Sequence, residues 1–131
     1  MERHDDQTLG DDDRLLRRIK REQIIADDRD AGRYRPMSMA FRDGEGEVSV
    51  YVRRLITVEA VLEGHPDFSL AEIPVGLARS VGCLVAQTPE DPNPAHRVII
   101  HPSKGGMRKA AKVFADQATW VKLIPPASPE A

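Results

Sequence analysis

Cysteine is almost missing from this chain. Its single example, Cys83, cannot close an internal disulfide, so the fold has to hold without staples and suits a reducing compartment. Aromatic residues are scarce at 5%, against 40% hydrophobic residues overall, which leaves Val, Ile, Leu and Ala to build a thin core. No apolar run approaches the roughly 20 residues that cross a bilayer, and the charged start Met1-Glu2-Arg3-His4-Asp5-Asp6 has no hydrophobic segment behind it. Neither a membrane anchor nor a secretory signal is therefore read, and the expected location is the cytoplasm of a bacterium. A one-sided charge is lacking too. The 19 basic and 21 acidic residues nearly cancel, so no general attraction to nucleic acid follows. The basic stretch Arg14-Leu15-Leu16-Arg17-Arg18-Ile19-Lys20-Arg21 is flanked by Asp11, Asp12, Asp13, Glu22, Asp27 and Asp28, which would repel phosphate.

What is present fits one domain of 131 residues. Residues 1–13 hold Asp5, Asp6, Asp11, Asp12 and Asp13 with little that is apolar, and are expected to form a disordered acidic arm. From Arg14 to Ile25 the apolar positions suit either a helix opened by Asp13, or a strand through Ile19 followed by a short helical turn. Asp27 to Gly32 reads as a turn, Arg35 to Phe41 as irregular extended chain because of Pro36, and Asp43-Gly44-Glu45-Gly46 as a tight turn. Val48-Ser49-Val50-Tyr51-Val52 alternates as a strand with its valines on one face. Thr57 caps a short helix ending near Gly64 and Pro66.

Farther on, Ser69 to Glu72 fits one helical turn, and strands are expected over Val75 to Arg79 and Cys83 to Gln87. Pro89, Pro92 and Pro94 stiffen a loop before the strand from His96 to Ile100. Ser103 to Gly106 turns into a helix over Met107 to Ala118, Trp120 to Ile124 adds an edge strand, and residues 125–131 form a proline-rich tail. The fold class is α/β of the α+β type: a small mixed or antiparallel sheet with two or three short helices in two layers, spanning residues 14–124.

Arg17-Arg18-Ile19, Arg35-Pro36-Met37-Ser38-Met39-Ala40-Phe41, Ser49-Val50, Asp91-Pro92-Asn93-Pro94-Ala95-His96 and Ala118-Thr119-Trp120-Val121 stand in a distinctive order. This order resembles a group of small bacterial proteins that carry an R-P-S-S-x-A-F element, an S-V strand and a D-P-x-x-x-P-A-H element. Met37 stands where that pattern has serine, which argues against a role needing paired hydroxyls. The resemblance implies no activity.

Among single residues, His96 stands out, because it follows a rigid loop at the mouth of a strand, where a side chain is held yet reachable. Its other reading is a strand-end histidine that caps the backbone of its loop. Chemistry at His96 would draw on Arg35, Ser38 and Ser49, with Asp91 or Glu90 as carboxylate, although no G-x-S-x-G elbow surrounds either serine. Lys104, Gly105, Gly106, Arg108 and Lys109 place glycines and cations at a helix start, a candidate anion site without Walker spacing. His65, His96 and His101 are scattered and Cys83 lies in an apolar run, so neither a metal nor another cofactor is expected. Small ADP-ribosyltransferase-like toxins are similar in ordering an early arginine, an aromatic residue and a later glutamate, an order Arg18, Tyr34 or Tyr51, and Glu59 or Glu63 would imitate. The function expected is that of a small bacterial interaction or accessory protein with an operon-encoded protein partner, and not a nucleic-acid binder. The alternative is a small enzyme or effector acting on a nucleotide-like ligand.

Overall fold

A computed structural model of the chain describes residues 4–42, 45–89 and 91–126. Strands β1 (Arg14–Ile19), β4 (Glu47–Val52), β5 (Ser69–Pro74), β6 (Leu84–Gln87), β7 (His96–Ile100) and β8 (Thr119–Lys122) form one sheet in the order β6-β7-β4-β1-β5-β8. Each neighbouring pair is antiparallel. Strands β2 (Ile24–Ala26) and β3 (Tyr34–Pro36) pair as a separate ribbon around the polar turn that Gly32 closes with a φ of 81°. Three α-helices complete the described residues: α1 (Val58–Leu62), α2 (Val75–Ser80) and α3 (Lys104–Gln117). The chain is thus an α+β fold built on an antiparallel sheet.

Alternation in the strands decides which side of the sheet receives the helices. Leu15, Ile19, Val48, Val50, Val52, Ala71, Ile73, Val85 and Ile99 all turn to one face, where they meet Ala110, Ala111, Phe114 and Ala115 of α3. Small alanines let α3 lie close to the sheet, and Phe114 fills the space they leave, its ring 5.8 Å from Phe41 in an edge-on contact. Phe41 ends a 3-10 turn, Ser38–Phe41, that packs on α3. On the opposite face a smaller cluster gathers Leu16, Leu70 and Val61 of α1. The Thr57 hydroxyl accepts the Ala60 N–H at 3.1 Å and opens α1 as its capping position requires.

Several expectations change. The segment from Arg14 to Ile25 takes the strand-and-turn alternative, since the central position of β1 buries Leu15, Leu16 and Ile19 on both faces, which no single helical stripe would do. Ser69 to Glu72 is strand, and Val75 to Arg79 is helix. Pro74 separates the two, because its fixed φ of −76° serves both as the last residue of β5 and as the N-cap of α2. Arg35 to Phe41 is a short strand end followed by the 3-10 turn. Helix α3 starts at Lys104, earlier than expected, because the Ser103 hydroxyl accepts the Gly106 N–H at 2.9 Å. Asp43, Gly44 and Glu90 lie outside the described residues, as does the tail from residue 127.

The largest change concerns the acidic N-terminus, expected as a disordered arm. From His4 to Asp13 it lies against the sheet and α2, with Leu9 only 2% exposed in the main core cluster. Its aspartates answer arginines that the linear charge pattern places far away, so the segment gains partners that composition does not reveal.

Candidate functional site

The loop leading to His96 owes its shape to side chains as much as to proline. Asp91 Oδ1 accepts the Asn93 N–H at 2.8 Å, Asn93 Oδ1 accepts the Ala95 N–H at 2.9 Å, and the Asp91 N–H donates to Thr88 O at 2.9 Å. These turns set His96 at the first position of β7, 9% exposed. Its Nδ1 lies 2.7 Å from Thr88 Oγ1 and 3.3 Å from Asp91 Oδ2. Cross-strand from it stands Tyr51, whose ring is 5.3 Å away in an edge-on contact, and the Arg18 guanidinium lies 5.4 Å from the Tyr51 ring centre. A shallow cavity of about 230 Å³ opens beside His96, Thr88 and Asp91.

The companions chosen from sequence do not gather there. Ser49 shares the sheet face of His96 but sits two residue pairs farther along, opposite Val98. Ser38 begins the 3-10 turn on the α3 side of the sheet, across from His96. Arg35 belongs to the β2–β3 ribbon, where its guanidinium faces Asp27 at 4.0 Å and Asp28 at 3.8 Å. The serine, histidine and carboxylate set is therefore not assembled as expected: Asp91 reaches His96, while Ser38 lies on the other side of the sheet and Ser49 farther along β4.

The anion candidate is also rebuilt. Lys104, Gly105 and Gly106 form the first turn of α3, and the Ser103 hydroxyl already takes the Gly106 N–H. A Cβ on Gly106 would stand 2.7 Å from Pro102 Cγ, so this glycine answers a close approach of chain to chain. Lys104, Arg108 and Lys109 are exposed and lie on the outer side of the helix. Of the toxin-like order, Arg18 and Tyr51 are in contact, while Glu59 and Glu63 are exposed and Tyr34 sits in the distant ribbon.

Two constellations escaped the sequence reading. His101 Nε2 donates to Phe41 O at 3.0 Å, which leaves Nδ1 to accept from the Cys83 thiol 3.6 Å away. Both side chains are buried; burial pushes the thiol up to about 11 and pulls the imidazole below its usual range, the Phe41 hydrogen bond opposing only in part. The pair is thus held neutral. The other is Arg97, whose Nε meets Asp6 Oδ2 at 2.9 Å with both side chains almost wholly buried. The apolar run from Val81 to Ala86 marked Cys83 as an interior residue, but nothing in the chain pattern couples position 6 to position 97. Among the described residues no group of three or more His, Cys, Asp or Glu side chains is arranged to hold a metal ion, and no helix is long and apolar enough to cross a membrane.

No family model, no curated protein and no solved structure matches this chain.

Proposed function

We propose that this chain is a non-catalytic accessory protein of a bacterium, docking to a larger protein encoded in the same operon. The observation that carries the reading is an apolar strip on the α1 side of the sheet. There Leu84 of β6 is 37% exposed opposite the half-buried Ile100 of β7, and the next pair on that face, Ala86 and Val98, is buried beside them as the floor of the strip. None of these belongs to either core cluster, and Ser49 beside them is exposed. A strip of this kind fits aliphatic or aromatic side chains of a partner. Co-expression with the products of the neighbouring genes is expected to yield a stoichiometric complex on size exclusion. Leu84→Asp should dissolve that complex without moving the melting temperature. Absence of any complex with the unaltered chain, or turnover of a substrate by the chain alone, overturns the proposal.

A second reading, a nucleotide-like ligand, is favoured by one observation away from His96. A cavity of about 450 Å³ lies between the β2–β3 turn, the end of α3 and β8, with Tyr34, Arg35 and Trp120 in its wall. Among the described residues, Arg35 Nε is the buried side-chain nitrogen or oxygen that finds no hydrogen-bond acceptor. Millimolar nucleotides that leave the melting temperature unchanged would remove this reading.

A further inference from the structure

The acidic segment from His4 to Asp13 is held like a ligand. At its start it closes the outer edge of β6: the Asp6 N–H donates to Val85 O at 2.7 Å, and the Val85 N–H donates to Asp5 Oδ1 at 2.9 Å. A single carboxylate and a single amide here satisfy the outward N–H and C=O of Val85, which a partner strand would otherwise bind. Next, the Asp6 carboxylate, with a side chain 2% exposed, accepts from Arg97 Nε and, at 3.3 Å, from Gln87 Nε2. Arg79 reads both main chain and charge: it donates to Asp6 O at 3.0 Å and Leu9 O at 2.9 Å, to Asp5 Oδ2 at 3.1 Å and to Asp11 Oδ1 at 2.7 Å. Leu9 enters the core cluster. Gly76 completes the seat, since a Cβ there would stand 2.9 Å from Asp11 Cβ while its N–H donates to Asp11 O at 2.8 Å.

The receiving surface thus combines a strand edge, an apolar socket and three guanidinium groups, those of Arg79, Arg97 and Arg54, the last donating to Asp13 Oδ1 at 2.8 Å and to Thr8 O at 3.3 Å. Those features recognise a turn-forming peptide with paired carboxylates followed, three residues later, by a leucine, the pattern of Asp5-Asp6-Gln7-Thr8-Leu9. Within the segment the backbone closes only two turns, Leu9 N–H to Asp6 O and Asp13 N–H to Gly10 O, with short-range side-chain bonds such as Thr8 to Asp6 Oδ1 and Gly10 N–H to Asp13 Oδ2, and its long-range fastening comes from the rest of the chain. A unit tied in this manner opens at lower free energy than the sheet beneath it.

We infer that this surface is a recognition site for an acidic, leucine-bearing peptide of a protein partner, and that residues 4–13 are its resident competitor. The inference rests on the reading of the chain as an interaction protein and adds the chemistry of the partner. Because the resident segment is tethered, its effective concentration is on the order of millimolar, and a peptide in solution competes poorly until the tether is weakened.

The test uses the full chain and a fluorescein-labelled peptide of residues 4–13, followed by fluorescence anisotropy. Binding to the Leu9→Ala chain is expected to be at least about 10-fold tighter than to the unaltered chain, and to weaken as salt is raised. Peptides with Asp5 and Asp6 changed to Asn, or with Leu9→Ala, should lose that binding, as should a chain that combines Leu9→Ala with Arg79→Ala. Should Leu9→Ala fail to fold, as judged by circular dichroism, the chain carrying Asp5→Asn and Asp11→Asn takes its place. Equal affinity for weakened and unaltered chains, or for charged and uncharged peptides, overturns the inference. Since no operon partner enters this assay, its failure beside a Leu84-dependent complex sinks the peptide site alone. Peptide binding without any such complex sinks docking through the Leu84 strip alone.

Discussion

Asp6 is a carboxylate taken almost entirely out of water, and burial by itself would raise its affinity for a proton. Hydrogen bonds from the Thr8 hydroxyl and N–H, from Arg97 and from Gln87 outweigh that and lower it from 3.8 to about 2. A carboxyl whose folded value is depressed stabilises the fold fully above its unfolded value. That contribution is lost as pH falls from about 4 to about 2. His101 acts earlier on the same side. Buried and neutral, it binds its proton more readily in the unfolded chain, so stability begins to fall as pH drops below 6.5. Urea midpoints are therefore expected to decline in two limbs on acidification, and Asp6→Asn should shrink the lower one, to which Asp13 and Asp27, also held below the usual carboxylate range by hydrogen bonds, contribute the remainder. Leaving Arg97 buried beside a neutral amide should also cost about 3–5 kcal/mol at neutral pH. A lower limb unchanged by Asp6→Asn would refute the account. Cys83, pushed up to about 11 by burial, is expected to resist thiol reagents until the chain unfolds, and labelling of the native protein at the rate of free thiol would contradict its placement.

At the scale of elements, the start of α3 offers a paired comparison. Gly105 and Gly106 are neighbours in one helical turn, and helix propensity alone says that alanine stabilises both by about 1 kcal/mol. Their surroundings differ. A Cβ on Gly105 meets nothing within 4 Å, whereas on Gly106 it would press on the ring of Pro102 and the Ser103 hydroxyl that caps the helix. Gly105→Ala is expected to raise the melting temperature and Gly106→Ala to lower it. A gain at both positions would show that the helix start moves freely away from Pro102. The β5–α2 boundary teaches a related lesson. Pro74 and Gly76 look like helix breakers in a linear reading, yet the proline stands at the N-cap and the glycine admits the Asp11 backbone.

Across the whole molecule, the sheet is protected unevenly. β1 lies between β4 and β5 and buries Leu15 and Ile19 on one face and Leu16 on the other, while β8 occupies an edge with no fully buried residue. At the far edge, β6, Asp5 and Asp6 bond the outward groups of Val85. Native-state amide exchange is expected to be slowest in β1 and markedly faster in β8. Equal protection in the two strands would mean that the β8 edge is covered in solution.

Local pattern was enough to locate β4, β7, β8, the capped helix α1 and most of α3, since period, turn residues and caps act over a few positions. The α+β class followed from them. Composition alone failed for residues 4–13, because the arginines that order the segment come from β7, from α2 and from the turn after β4, and because Leu9 is a single apolar side chain in an acidic stretch. The same limit applied to the site. That His96 stands at a strand mouth beside a stiff loop was readable, but its separation from Arg35 and Ser38 depends on which face of the sheet each element packs against. Sheet order and face are fixed by burial summed over distant strands, a quantity that no short stretch of chain contains.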